Sequence, residues 1–214
     1  MPGETVTLRT ETVPQVMLRK VVFDYVVTAL LVILLAIPLA CVAVAIRFES
    51  HGPVFFRQPR LGLNNRVFYI WKFRTMDHAL ADLDGERLTL RNDPRITRLG
   101  WWLRRLSIDE VPQLLNVLAG EMSIVGPRPH ALKANVGGVR YDELVNDYAS
   151  RHCIKPGITG WAQVNGCRGE TIRVEQIEMR VAYDLEYIKK QSIMFDVWII
   201  MRTAVCLLRR IEAF

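Results

Sequence analysis

Two carboxylates stand side by side in the chain's most informative stretch, Ser107 to Pro129 (SIDEVPQLLNVLAGEMSIVGPRP). Asp109 and Glu110 come just before Pro112, which suits the first turn of a helix and no later one. A helix is therefore expected from about Val111 to Ala119, stopped by Gly120. Its positive end would favour the ionised carboxylates that a nucleophile or a metal ligand must be. Ser107-x-x-Glu110 also fits a capping box, which needs no chemistry. Further on, Gly126-Pro127-Arg128-Pro129 fixes the backbone around one arginine and so aims it at little entropic cost. A rigid cation near two acids suits phosphoryl transfer, in which the cation binds phosphate oxygens and the acids attack phosphorus or hold a divalent ion. A turn with a solvated arginine would read the same way.

Other segments could add cations. Lys72-Phe73-Arg74-Thr75 closes an expected strand, and Asn92-Asp93-Pro94-Arg95 forms a turn before a helix. Lys155 to Trp161 (KPGITGW) is a glycine-punctuated loop able to approach a ligand closely. Phosphate-binding P-loop, dinucleotide, serine-elbow and HExxH patterns are absent. His51, His78, His130 and His152 lack metal-ligand spacing and read as surface or loop positions. Cys41, Cys153, Cys167 and Cys206 form no CxxC pair, which fits free thiols in a reducing compartment.

The 214 residues carry 28 Lys+Arg against 22 Asp+Glu, a net charge of +6. That length fits one domain with a sizeable core, and 50% apolar residues exclude a disordered chain. The whole positive excess falls between Arg47 and Arg105, with 12 basic and 6 acidic residues. Arginine outnumbers lysine 22 to 6, which favours forked contacts to phosphate or reflects a codon bias. Nucleic acid, anionic lipid and a phosphorylated metabolite are candidate partners on charge alone. The lack of any helix-turn-helix, zinc or RNP pattern removes nucleic acid.

Elements must hold these residues in place. Tyr25 to Ile46 is a run of 22 residues without charge, long enough to cross a bilayer. Arg19 and Lys20 precede it, and Arg47, Arg57, Arg60 and Arg66 follow it, so both flanks are basic. A simple span places one basic flank on the wrong side. Pro38 leaves the Leu34 carbonyl without its helix partner, so a kinked, re-entrant helix that returns to one face accounts for both flanks. Val54 to Arg57 and Val67 to Arg74 read as a hairpin turning near Gly62 and Asn64-Asn65. Asp77 to Leu90 is charged and partly helical. Arg95 to Leu106 is an amphipathic helix that suits a membrane interface or a core, with Gly100 weakening its middle. Glu143 to Ser150 and Arg173 to Lys190 read as helices, and Ile193 to Leu208 as a helix lying in a membrane interface.

As a set, these segments resemble the bacterial sugar transferases that are monotopic phosphoglycosyl transferases. The likeness runs from Arg19 to Arg210. It is carried by Lys20-x-x-x-Asp24, Gly52-Pro53-Val54-Phe55-Phe56-Arg57-Gln58, Lys72-Phe73-Arg74-Thr75-Met76, Asn92 to Thr97, Ser107 to Pro129, Pro156 to Trp161, Tyr183-Asp184 to Tyr187-Ile188 and Asp196. The resemblance implies transfer of a hexose-1-phosphate from a UDP-sugar, UDP-glucose or UDP-galactose, to undecaprenyl phosphate. UMP is released, and the step initiates exopolysaccharide or glycoconjugate assembly. By position, Asp109 attacks the β-phosphorus to give a phosphosugar-enzyme, Glu110 assists, and both would hold Mg²⁺. Arg128 binds phosphate, with Lys72, Arg74 and Arg95 as candidate neighbours. The implied fold is helix-dominated α+β with three parts: a tail over 1–18, a re-entrant membrane helix over 19–47 broken at Pro38, and a catalytic domain over 48–214 with interfacial helices. The implied location is the cytoplasmic face of the bacterial inner membrane, in contact with its lipid. The family commonly has Ser before that proline, where this chain has Ile37. A homodimer is compatible with the sequence, though no motif requires one.

Overall fold

The uncharged run lies inside one long helix, α1 (Val13–Glu49), which continues through Pro38 without interruption. In this computed structural model, which describes residues 13–77, 93–167, 169 and 173–212, Pro38 therefore does not break the helix as a secondary-structure element. The tail over residues 1–12 and the segment 78–90 lie outside the described residues. At 1.5 Å per residue α1 is about 55 Å long, more than a hydrocarbon core requires. Two stretches of it seat on the rest of the chain. Lys20, Asp24 and Thr28 are buried, and Val27, Leu31 and Val32 pack on a core of Leu114, Ile124, Val125, Val164, Tyr187 and Ile199. Near the other end, Leu39, Val42, Ala43 and Ile46 pack with Phe73 and Leu103. Between these seats Ile33, Leu34 and Ile37 are more than 70% exposed, so the apolar midsection faces outward.

The expected hairpin is present and longer than anticipated. Strands β1 (Phe55–Leu61) and β2 (Val67–Phe73) pair antiparallel, with Arg57 opposite Trp71 and Phe55 opposite Phe73. Asn64 and Asn65 take the left-handed conformation in the turn, as Asn tolerates. Phe68 and Ile70 face inward onto Val117 and Met122, whereas Phe55, Val67 and Tyr69 face out.

Helix α2 (Arg98–Leu106) starts where the Thr97 hydroxyl accepts the Gly100 N–H, and ends at Ser107 in the left-handed region. Gly100 does not weaken it. A Cβ there would overlap the Thr75 carbonyl, so the glycine lets α2 lie directly on the backbone beyond β2. A 3₁₀ turn over Ile108–Gln113 leads into α3 (Leu114–Leu118), so helical structure begins before Pro112 rather than at Val111. Ser107 makes no side-chain cap, and the capping-box reading is corrected.

Strand β3 (Ser123–Val125) pairs in parallel with β6 (Gly157–Thr159), giving the expected glycine loop a strand core. Between them lie the small hairpin β4 (Asn135–Val136) and β5 (Val139–Arg140), then α4 (Tyr141–Leu144). The helix expected over Glu143 to Ser150 is not continuous. Val145 is extended and Asp147 left-handed, so a separate 3₁₀ turn follows over Tyr148–Cys153. The chain ends in α5 (Trp161–Val164), α6 (Val174–Lys190) and α7 (Ile193–Glu212). Met194, Trp198, Met201 and Leu208 of α7 are exposed, as are Trp101 and Trp102 of α2.

Candidate active site

The left-handed turn at Ser107 brings the chain out of α2 and points the following 3₁₀ turn inward, so Asp109 and Glu110 are both buried. Three other elements converge on them. Strand β2 supplies Lys72, whose Nζ lies 2.9 Å from Glu110 Oε1. The rigid segment after β3 supplies Arg128, which donates to both Glu110 oxygens at 2.5 and 3.1 Å. Helix α2 supplies Arg104, whose Nε donates to the Thr75 hydroxyl at 2.7 Å and whose charge faces Asp109. Gly100 and Arg104 are four residues apart on one face, so the contact that requires glycine also places the arginine.

The adjacent acids have opposite electrostatics. Both ion pairs fall on Glu110, and the charges of Arg128 and Lys72, with their hydrogen bonds, outweigh its burial and hold its carboxyl well below the usual range. Burial, and then the charge of Glu110, push the Asp109 carboxyl up to about 6, against the pull of Lys72, Arg104 and Arg128. Among the described residues Asp109 has no ion pair. The result is a fixed carboxylate beside one that stays ionised at neutral pH without an ion pair among the described residues. Nearby Arg60 is opposite Ala131, and its charge adds to that of Arg128. Burial and that repulsion push it down to about 10, so it stays charged at neutral pH. Four cations, Arg60, Lys72, Arg104 and Arg128, thus accompany two acids, and this excess suits a diphosphate.

A second layer fixes these groups. Asn116 of α3 is fully buried and grips β2 as a neighbouring strand would. Its Oδ1 accepts the Trp71 N–H at 2.9 Å, and its Nδ2 donates to the Tyr69 carbonyl and to Glu121 at 2.7 Å. Lys72 is the next residue along. Arg151, fully buried, pairs with Asp184 at 2.6 Å and donates to the Arg128 carbonyl at 2.7 Å. His130 Nδ1 meets Tyr148 at 2.8 Å and Arg151 at 3.1 Å. Burial and the surrounding arginines hold its pKa well below the ordinary histidine value, so it is neutral. His130 and His152 are therefore buried structural groups, contrary to the surface reading.

Lys72, the adjacent Asp109 and Glu110, and Arg128, from three separate stretches of sequence, are thus brought together. Arg74 goes elsewhere: its guanidinium bonds the carbonyls of His51 and Ser50 at 2.9 and 2.8 Å and neutralises the negative end of α1. Arg95 forms a forked pair with Asp93, whose carboxyl it holds down to about 2. Its charge bears on Arg104. Pro38 lies in the exposed midsection of α1, remote in sequence from all of these. Arg104 and Asn116 were not singled out from sequence. The spacing of Gly100 and Arg104 was a usable signal; Asn116 left none.

The donor set fits a divalent cation that takes most of its ligands from substrate. Asp109 is the carboxylate open to it, Glu110 shares its oxygens with Lys72 and Arg128, and among the described residues no third acid, His or Cys joins them.

A family model described as bacterial sugar transferase matches residues 15–210. The undecaprenyl-phosphate glucose phosphotransferase of Komagataeibacter xylinus is 54% identical over 187 residues, covering 87% of this chain and 35% of that protein. The UDP-glucose:undecaprenyl-phosphate glucose-1-phosphate transferase of Escherichia coli K12 is 48% identical over 180 residues, covering 84% of this chain and 38% of that one. An exopolysaccharide production protein PSS of Rhizobium leguminosarum bv. phaseoli is 46% identical over 192 residues, covering 90% of this chain and 96% of the relative. The chain thus spans little more than a third of the first two and nearly all of the third. With the match extending across the apolar helix, the hairpin and the buried acid pair alike, the chain belongs to the bacterial sugar transferase family.

Proposed function

We propose that this chain transfers glucose-1-phosphate from UDP-glucose to undecaprenyl phosphate at a membrane surface, in two steps, as an early reaction of exopolysaccharide assembly. The observation that carries the reading is the division of labour between the acids: Glu110 pairs with Lys72 and Arg128, while Asp109 is buried, without an ion pair among the described residues, and ionised at neutral pH. The names of the relatives supply the sugar and the lipid.

In the first step an Asp109 carboxylate oxygen attacks the β-phosphorus of UDP-glucose. The bond from that phosphorus to the bridging oxygen breaks, and UMP leaves with the electron pair. The product is an acyl phosphate carrying the sugar. In the second step an oxygen of undecaprenyl phosphate attacks the same phosphorus, the acyl–phosphate bond breaks, and Asp109 is regenerated as a carboxylate. Arg128 and Lys72 bind phosphate oxygens, held in place by Glu110, and Arg104 keeps Asp109 ionised. Asp109 and Glu110 would hold Mg²⁺, whose contribution is neutralisation of the diphosphate charge.

The placement of α1 supports a monotopic arrangement, which we assign to the cytoplasmic face. Residues 20–32 and 39–46 seat on the same domain, while exposed apolar residues run along the outward face from Leu18 through Ile33, Leu34 and Ile37 to Phe48. A helix that enters and returns on one side satisfies both seats; a straight crossing separates them. Exposed Trp101, Trp102 and Trp198 suit the interface on that side.

The test is nucleotide release from UDP-glucose in the presence of undecaprenyl phosphate and Mg²⁺. UMP is expected, and sugar phosphate should be trapped on Asp109 when the lipid is withheld. Release of UDP, or normal turnover without a trapped adduct, refutes the two-step reading. Release of neither nucleotide refutes the transferase itself.

A further inference from the structure

Outside the site, one lysine is buried between two carboxylates. Lys20 Nζ donates to Asp24 Oδ1 at 2.9 Å and lies 2.8 Å from Asp196 Oδ2, there as an ion pair without hydrogen-bond alignment. Asp196 is completely buried and Asp24 nearly so. The partners of Asp24 are both donors, Lys20 and the Ile124 N–H at 3.3 Å, so Asp24 takes the charge that balances the lysine. The other oxygen of Asp196 lies 2.7 Å from the Tyr187 hydroxyl, and that hydroxyl lies 3.0 Å from the Val125 carbonyl. A tyrosine has one hydrogen, which serves both contacts only as a weaker three-centre bond; two full hydrogen bonds need a second hydrogen. Gln191 Nε2, at 3.5 Å, can only donate to the hydroxyl, and Ser123 Oγ separately donates to the Val125 carbonyl at 2.9 Å, so neither supplies the missing hydrogen. The count closes when Asp196 is protonated: it donates to Tyr187, and Tyr187 donates to Val125. The charge count closes as well, with one cation and one anion.

These groups join distant elements: Lys20 and Asp24 lie on α1, Tyr187 on α6, Asp196 on α7, and Ile124 and Val125 on β3. Arg128 follows β3 by three residues, with no slack between them. Gly126 N–H donates to the Thr159 carbonyl and Gly157 N–H to the Pro127 carbonyl, both at 2.9 Å. A Cβ on Gly126 would come within 2.6 Å of the Lys155 carbonyl, so the backbones already touch. We infer that Lys20, Asp24, Asp196 and Tyr187 form a positioning latch, closed by a proton on Asp196, through which the apolar helix sets strand β3 and so aims Arg128. Its catalytic half rests on the reading above; its proton does not. Asp196 lies in the first turn of α7, whose dipole favours a carboxylate, but complete burial is the larger effect and pushes its carboxyl up. Tyr187 and Asp196 are thus positioning residues, remote from the reacting atoms.

The test compares two isosteric amides in the full chain, reconstituted in membrane. D196N reproduces the protonated acid and should keep kcat within about threefold of wild type, whereas D24N and Y187F should lose kcat about tenfold or more with KM for UDP-glucose little changed. The infrared difference between wild type and D196N at neutral pH should contain the C=O band of a protonated carboxylic acid. That readout needs no turnover, so it stands apart from the substrate assignment. A carboxylate band in its place, or a D196N protein as impaired as D24N, overturns the latch. Wild-type kcat in D24N and Y187F overturns its link to Arg128.

Discussion

Replacing Asp109 with Asn should do two things at once: abolish turnover and stabilise the fold. The carboxyl titrates near 6 in the folded chain because burial and Glu110 oppose its charge, against an ordinary value of 3.8. A group whose folded pKa is raised binds more protons folded than unfolded. Its favourable contribution is complete below 3.8 and is lost as pH rises through 6. At pH 8 the ionised Asp109 therefore costs at most about 3 kcal/mol, from about 1.4 kcal/mol per pKa unit. D109N removes that cost, and for a chain of this size it should raise Tm by about 5–10 °C. The gain should be full at pH 8, shrink between pH 6 and 4, and vanish below. The same exchange one residue on has the opposite sign. E110Q leaves Lys72 and Arg128 without their buried counter-charge and should cost about 3–5 kcal/mol. Thermal unfolding in nanodiscs at pH 8 and pH 5, followed by fluorescence, measures both variants, and nucleotide release measures activity. A D109N protein less stable than wild type at pH 8 refutes the desolvation argument, and residual turnover in it refutes the nucleophile. Equal effects at the two positions refute the division between the acids.

Other consequences are more direct. Turnover should fall about tenfold per pH unit below pH 6 as Asp109 takes up a proton, and R104A should move that limb upward by roughly half a unit to one unit, measured as kcat against pH. N116A should destabilise by about 1–3 kcal/mol per stranded buried group, and it should slow adduct formation more than N116S, which keeps a hydroxyl for the Trp71 N–H; rapid-quench trapping separates them. G100A should drive α2 off the Thr75 carbonyl and cost about 1–3 kcal/mol, seen as a lowered Tm.

What could be read in the sequence was local. The uncharged run, the hairpin, α6 and the Asp109–Glu110 pair each declare themselves within a few residues, through charge, alternation or a proline. Arg128 was legible because two prolines freeze it. What failed depended on distant partners. Lys72 and Arg74 are two residues apart, yet one reaches Glu110 and the other caps α1, because β2 ends between them. His130 and His152 carried no sign of burial, since the groups around them come from the β1–β2 hairpin and its turn, α4, α6 and the turn at Tyr148–Cys153. Gly100 was misread as weakness because its reason is Thr75, a contact across 25 positions that periodicity cannot register.

The seating of α1 also bears on the order in which the molecule can be assembled. Lys20 belongs to the first described helix, and its partner Asp196 to the last. Until α7 has left the ribosome, the inner half of α1 lacks the surface that receives it, and an apolar helix with two buried charges must wait. Membrane can cover the outward face in the meantime, but it offers nothing to Lys20 and Asp24. Closure of this first-to-last contact is thus a late event in folding, and loss of α7 should leave the helix embedded yet unseated.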